Sequence, residues 1–251
     1  MKPDLVISSQ NETNITALTN HPQSTTQLNT STSFANVKPP SLFKNLPKDI
    51  KPIATKSRSF NKDDKAFIEK ELQSLLKAGV IQRSDSAWRA QVLVAKDEFN
   101  RHRKRLCIDY SQTINLYTDL DAYPLPRIDK IVNELSKYKF FSTYDLKSAY
   151  HQIPLEESER KYTAFECLGD LYEFVVIPFG VTNGVPCFQR TMDDLVKEEE
   201  LKDTFPYVDN VTIGGVDEKD LKRNDLAFQD MIKKRNITFN NMKTVQSSTC
   251  H

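Results

Sequence analysis

Between residues 61 and 79 the apolar positions recur at helical spacing: Ile68, Leu72, Leu75 and Leu76. Asn61 stands where an N-cap is needed, Asp63 and Asp64 put negative charge at the helix N-terminus, and Gly79 follows as a C-cap. This predicts an amphipathic core helix. The period then changes. Gln91-Val-Leu-Val-Ala and Arg105-Leu-Cys-Ile-Asp-Tyr read as two strands, and the charged segment 96–104 joins them as a hairpin with a basic tip. A helix is expected over 126–135, with Pro126 near its start. Lys139-Phe-Phe-Ser-Thr-Tyr is a strand ending at Asp145, and a second hairpin runs through 161–178. A helix follows over 185–197. Two short β-rich arms within 204–213 flank Asp209-Asn210, and a helix over 218–235 precedes a last strand at 237–240. Strands and helices mix without regular βαβ alternation, so the expected fold class is α+β.

The first forty residues break this pattern. They are rich in Ser, Thr, Asn and Gln, with Phe34 as their single aromatic residue. Such a segment buries too little apolar surface to offset chain entropy, which predicts a disordered tail over 1–45. The stretch 38–52 reads as an extended lead-in, with order beginning near Asn61.

Composition adds limits. Of the 251 residues, 38% are hydrophobic and 27% charged, ordinary values for a chain that buries a core. The net charge is +1, so nucleic-acid binding would rest on local patches such as Arg101, Arg103, Lys104 and Arg105, or Lys233, Lys234 and Arg235. A charge run alone is more often a solvated face. Cys107, Cys167, Cys187 and Cys250 form no CxxC pair, which argues against a zinc knuckle and for reduced thiols in an intracellular protein. No apolar run reaches the roughly 18 residues of a membrane span.

Asp145 and Asp209 stand out by context. Each lies at the end of a β-rich arm, and Asp209-Asn210 suits a tight turn where Asp and Asn tolerate unusual backbone angles. If the two strands are neighbours in one antiparallel sheet, both acids project from one edge as an oxygen-rich Mg²⁺ site. Spacing alone does not establish this, since isolated Asp residues at strand ends are usually turn formers or caps.

Several ordered blocks over residues 55–249 resemble the reverse transcriptase of gypsy-type LTR retrotransposons, of the lineages whose catalytic box reads Tyr-x-Asp-Asn. They are Trp88-Arg-Ala-Gln-Val-Leu-Val-Ala-Lys, Arg105-Leu-Cys-Ile-Asp-Tyr, Tyr123-Pro-Leu-Pro-Arg-Ile-Asp, Phe141-Ser-Thr-Tyr-Asp-Leu-Lys-Ser-Ala-Tyr-His-Gln-Ile, Pro178-Phe-Gly-Val-Thr-Asn-Gly-Val-Pro-Cys-Phe-Gln-Arg and Phe205-Pro-Tyr-Val-Asp-Asn. The resemblance implies the fingers and palm of a right-hand polymerase, with an antiparallel palm sheet packed by helices. Fingers would span 46–118 and 153–184, and palm 119–152 and 185–251.

The resemblance also implies site roles. Asp145, Asp209 and the Leu146 carbonyl would hold two Mg²⁺ ions, with Mn²⁺ as an alternative. Arg105 would contact the incoming triphosphate, with Lys96 or Arg103 assisting from the hairpin tip. Tyr150 would gate the sugar, and Phe179 and Gly180 would line the nucleotide pocket. Gln189 and Arg190 would lie behind the pocket, touching template or merely packing. Lys243 would protonate departing pyrophosphate. The implied partners are an RNA or DNA template-primer duplex, deoxynucleoside triphosphates, and thumb and RNase H regions or a second chain. The implied setting is cytoplasmic, in virus-like particles. Asn210 replaces the usual second Asp, Ala87 a usual Pro, Val185 a usual Pro and Thr244 a common Cys. The primer grip, thumb and RNase H blocks do not occur within the 251 residues, which leaves a second reading: an inactive retroelement remnant retained for nucleic-acid or protein binding.

Overall fold

A computed structural model describes residues 34–96 and 104–246. Helix α1 (Lys62–Lys77) starts where the sequence predicts: the Asn61 side chain accepts from the Asp64 amide at 2.8 Å. Ile68 and Leu72 face the core, and the chain leaves the helix through Gly79 at φ +63°. The remaining elements, in order, are β1 (Ile81–Arg83), β2 (Ala90–Lys96), β3 (Lys104–Asp109), α2 (Ile128–Leu135), β4 (Phe140–Leu146), α3 (Glu157–Arg160), β5 (Phe165–Cys167), β6 (Asp170–Phe174), α4 (Gly184–Glu198), β7 (Thr204–Tyr207), β8 (Asn210–Gly215), α5 (Glu218–Arg235) and β9 (Phe239–Gln246).

The strands form two sheets. One has five strands in the order β1-β6-β5-β2-β3, antiparallel except for β2 beside β5. The other has four, β7-β8-β4-β9, all antiparallel. The mixture without regular alternation is the expected α+β class. β4 alternates as a half-buried strand should. Ser142 and Tyr144 turn toward α5, where Asp225 accepts from both hydroxyls at 2.7 and 3.2 Å and Phe228 packs 4.8 Å from the Tyr144 ring. Thr143 and Asp145 belong to the other face. Gly215 is required by close approach, because a Cβ there would lie 2.5 Å from the Leu221 backbone nitrogen. Among the described residues no helix is long and apolar enough to cross a membrane.

One expectation needs correction. Order does not wait for Asn61, and residues 34–45 are not a loose tail. Leu42 is 1% exposed and Phe43 and Ala35 are also buried. The Glu159 carboxylate accepts from the Leu42 and Phe43 amides at 2.8 and 3.2 Å and from the Ser41 hydroxyl. The Ala35 and Asn36 amides donate to the carbonyls of Gln152 and Arg235. Three buried side chains and a row of backbone anchors hold a segment whose composition is otherwise polar. The tail expected over residues 1–33 lies outside the described residues.

Candidate active site

β4 lies between β8 and β9, so Asp145 is fixed from both sides: it stands opposite Asn210 on β8 and Asn241 on β9. The β4–β9 register shifts just after Asp145, leaving Asn240 as the extra residue of a bulge, a device that re-aims side chains near functional sites. β7 and β8 are joined by Val208 and Asp209 alone, with Tyr207 paired to Asn210. The positive φ of this turn falls on Val208, at +52°, and not on Asp209 as its residue type suggests. Positive φ at the first central position is the habit of a II′ hairpin, where glycine is usual. A β-branched residue there costs on the order of 1–3 kcal/mol. The Leu146 amide donates to the Asp209 carbonyl at 2.8 Å, stitching the turn to the end of β4. The two acids thus occupy the same end of adjacent strands.

Their surroundings are sparse. Asn240 Nδ2 is 3.4 Å from Asp145 Oδ2 and Asn210 Nδ2 is 3.3 Å from Asp209 Oδ1. Among the described residues neither acid has an ion pair, and no cluster of three or more acidic, histidine or cysteine side chains forms. Leu146 has a buried side chain and a committed amide, so its carbonyl is what it can offer a ligand.

A cleft of 590 Å³ has walls that include Arg105, Ile108, His151, Phe174, Phe179 and Gly180. Three of the residues expected around a nucleotide are therefore brought together. Among the described residues the Arg105 guanidinium has no hydrogen-bond or ion-pair partner. Phe179 is 55% exposed, and its ring meets Tyr150 at 4.9 Å and His151 at 5.0 Å. Gly180 has φ +89°, and a Cβ would press to 3.2 Å from the Ile108 carbonyl. Tyr150 is 9% exposed and packs on Phe188 at 5.0 Å. Burial, and then the negative charge of Asp209, push its phenol upward. Burial pushes the His151 imidazole down to about 4, so it is neutral at physiological pH.

The other expected residues lie elsewhere. Gln189 is 0% exposed and is not on the cleft wall. Its amide accepts from the Val208 amide at 2.8 Å and donates to the Pro206 carbonyl and Asp193 Oδ1, each at 2.9 Å. This is the packing alternative: the carboxamide braces the turn that bears Asp209. Arg190 pairs with Asp121 at 2.7 Å, over the Tyr123 ring. Lys96 is drawn to Asp64 at 3.4 Å. Lys234 and Arg235 pair with Glu199, so that basic run serves packing. The Lys243 backbone pairs with Thr143, two residues from Asp145 along β4. Arg101 and Arg103 lie outside the described residues. Sequence reasoning missed His151, Asp193 and Tyr123. The aromatic-rich run from Tyr150 to Phe179 was the available signal for His151.

Comparison with known proteins gives this geometry a family. The family model for reverse transcriptase (RNA-dependent DNA polymerase) matches residues 94–251. The chain is 42% identical over 158 residues to the retrovirus-related Pol polyprotein from transposon gypsy of Drosophila melanogaster, covering 61% of this chain and 15% of that protein. It is 35% identical over 181 residues to the corresponding polyprotein from transposon 412 of the same organism, covering 70% of this chain and again 15% of the relative. The chain therefore spans a small part of these relatives. Among solved structures, the prototype foamy virus protease-reverse transcriptase aligns with TM-score 0.67 at 22% identity, over 83% of this chain and 27% of that one. The foamy viral protease-reverse transcriptase in complex with RNA/DNA hybrid aligns with TM-score 0.70 at 20% identity, over 84% and 28%. At those identities the likeness concerns the fold, that of fingers and palm. With well over half of its residues matched by the family model, the chain belongs to the reverse transcriptase family.

Proposed function

We propose that this chain is the fingers and palm of a retrotransposon RNA-directed DNA polymerase that extends a primer on an RNA or DNA template. The observation that carries this is the pair of acids, Asp145 and Asp209, at the same end of adjacent strands and without an ion pair among the described residues. The four-stranded sheet with α4 and α5 is the palm, within 119–152 and 185–251. The five-stranded sheet is the fingers, within 46–118 and 153–184.

Two carboxylates with only weak amide contacts fit a hard divalent cation, which favours oxygen donors and keeps positions open for substrate phosphate. Asp145, Asp209 and the Leu146 carbonyl would hold two Mg²⁺ ions, or Mn²⁺. When bound, the ions favour ionisation of the attacking hydroxyl and offset charge on the leaving oxygen. The chain's own residues do the rest. Arg105 holds the triphosphate of a deoxynucleoside triphosphate with its fork of donors. Tyr150, wedged against Phe179 and Phe188, stands beneath the sugar and disfavours a 2′-hydroxyl. Phe179 and Gly180 shape the pocket. Lys243 supplies a proton to the departing pyrophosphate. The bond formed joins the primer 3′-oxygen to the α-phosphorus, and the bond broken releases pyrophosphate. Positioning and charge stabilisation carry the rate, without a protein nucleophile.

Asn210 is compatible with this scheme. It stands opposite Asp145 in the ladder, where a third carboxylate would add repulsion, and it retains a carbonyl acceptor. If Asn210→Asp raises extension by orders of magnitude from near zero, that compatibility is refuted. The decisive experiment is Mg²⁺-dependent extension of oligo(dT) on poly(rA), with Asp145→Ala as control. Incorporation by the native chain alone supports the proposal. Equal incorporation by both chains, or none by either, overturns polymerase activity for this chain and favours the remnant.

A further inference from the structure

We infer that Gln189 is a positioning residue for Asp209, a clamp that holds the turn in the one backbone shape that aims this carboxylate at Asp145. The inference rests on Asp209 being a metal-binding acid.

Among the described residues Asp209 has little side-chain support, a single amide contact at 3.3 Å from Asn210. Its place is therefore set by its backbone. The residue before it, Val208, sits at φ +52°, a conformation that persists only where its surroundings over-determine it. Gln189 supplies that constraint. The Oε1 atom accepts from the Val208 amide at 2.8 Å, and Nε2 donates to the Pro206 carbonyl at 2.9 Å, so one planar group grips both sides of Tyr207. The second Nε2 hydrogen goes to Asp193 Oδ1 at 2.9 Å, which fixes which way the amide faces. Both donors and the carbonyl oxygen are thereby engaged, in a fully buried site.

The clamp has its own support. Asp193 Oδ2 accepts from the Tyr123 hydroxyl at 2.5 Å, and the Tyr123 ring lies beneath the Arg190 guanidinium, 4.5 Å away. Arg190 is held in turn by Asp121 at 2.7 Å. A chain of contacts thus runs from the segment before α2, through α4, to the turn. Only a carboxamide serves at its inner end. Glutamate would lose both donors and face the Asp193 carboxylate, and methionine would lose every bond while keeping similar bulk. Without the clamp, Val208 relaxes to negative φ and carries Asp209 away from β4.

The test uses Mn²⁺ alone as probe, with free ion measured by electron paramagnetic resonance, and hydrogen exchange at the Val208 amide. Native chain, Asp209→Asn, Gln189→Met and Asp193→Ala are compared. In Gln189→Met the Val208 amide should exchange faster and Mn²⁺ affinity should fall by about tenfold, the usual scale for losing an outer support of a metal ligand. A merely structural glutamine would lower thermal stability and leave the affinity of the folded protein unchanged, and that result overturns the inference. If Gln189→Met does not fold, Asp193→Ala decides. This half-buried site loses only the outer bonds, so faster Val208 exchange with several-fold weaker Mn²⁺ binding supports the clamp, and unchanged values overturn it. If the native chain and Asp209→Asn bind Mn²⁺ alike, the metal reading itself fails and the inference falls with it. If those two differ and Gln189→Met matches the native chain, the clamp alone fails.

Discussion

In and around the five-stranded sheet, acids face bases. Asp64 lies 2.7 Å from Lys104 and 3.4 Å from Lys96, Asp109 lies 3.2 Å from Arg58, and Arg83 on β1 grips Asp170 on β6 through two contacts of 2.6 and 3.1 Å. At the turn end of the four-stranded sheet, the polar neighbours of Asp145 and Asp209 are asparagine amides at 3.3 and 3.4 Å. The first sheet also contains an exception, Arg105, which lines the cleft and has no polar side-chain partner among the described residues. The difference separates two uses of charge. A paired acid at the surface contributes a little to stability, and its charge is already offset by its partner. Two neighbouring acids without ion pairs keep oxygen donors for a ligand, and on the proposed reading that ligand is a cation.

That contrast can be broken most directly at the acids. Asp145→Asn should reduce primer extension by on the order of a thousandfold or more, while the melting temperature stays level or rises slightly as repulsion is relieved. Loss of stability with retained extension would reverse the assignment. Arg105→Ala comes next. Losing a charged donor to the triphosphate should lower kcat/KM for deoxynucleotide by about a hundredfold, equivalent to about 2–3 kcal/mol. A steady-state titration that finds no change would return Arg105 to the ordinary surface.

Glu159 sharpens the comparison from the other side, as an acid whose partners are all internal. Glu159→Ala should cost about 2–3 kcal/mol in urea denaturation, because two buried amides and a hydroxyl lose their acceptor. Extension measured well below the melting temperature should be unaffected. The smallest effect concerns His151 in the cleft wall. Its folded pKa, about 4, lies below the usual 6.5. Stability is then complete above pH 6.5 and declines as pH falls toward 4, because the unfolded chain takes up a proton that the folded chain refuses. The expected loss from pH 7 to pH 5 is about 2 kcal/mol. His151→Phe should flatten that part of the curve, and parallel urea midpoints for the two proteins would contradict the burial argument.

Much of the fold was legible where local chemistry punctuates it. Helix α5 runs over Glu218–Arg235 as expected, because Asp217 caps its start by accepting from the Asp220 amide and Asn236 leaves it at φ +52°. Helix α4 and the arms around Asp209 were equally clear. The short strand β1 was not, since three residues carry no period. The packing of residues 34–45 was hidden for a different reason. Its anchor to Glu159 joins residues 117 positions apart, and a polar composition does not reveal bonds to a distant carboxylate. The site divides the same way. The family motifs pointed to Asp145 and Asp209, which share one sheet end, and to Arg105, Phe179 and Gly180, which share one cleft, but the orientation of Gln189 depends on how α4 meets the β7–β8 hairpin. The strain on Val208, rather than on Asp209, depends on the same meeting.

One asymmetry in that hairpin has a mechanical meaning. Asp145 belongs to a strand bonded on both flanks, whereas Asp209 rides a two-residue turn at the tip of the outer hairpin. On the proposed reading the pair works as a vice with one jaw bolted and one sprung. A vice of that kind grips objects of different width. Tolerance for cations of unequal radius would then reside in the backbone of residues 206–209, and stiffening that spring would narrow the choice.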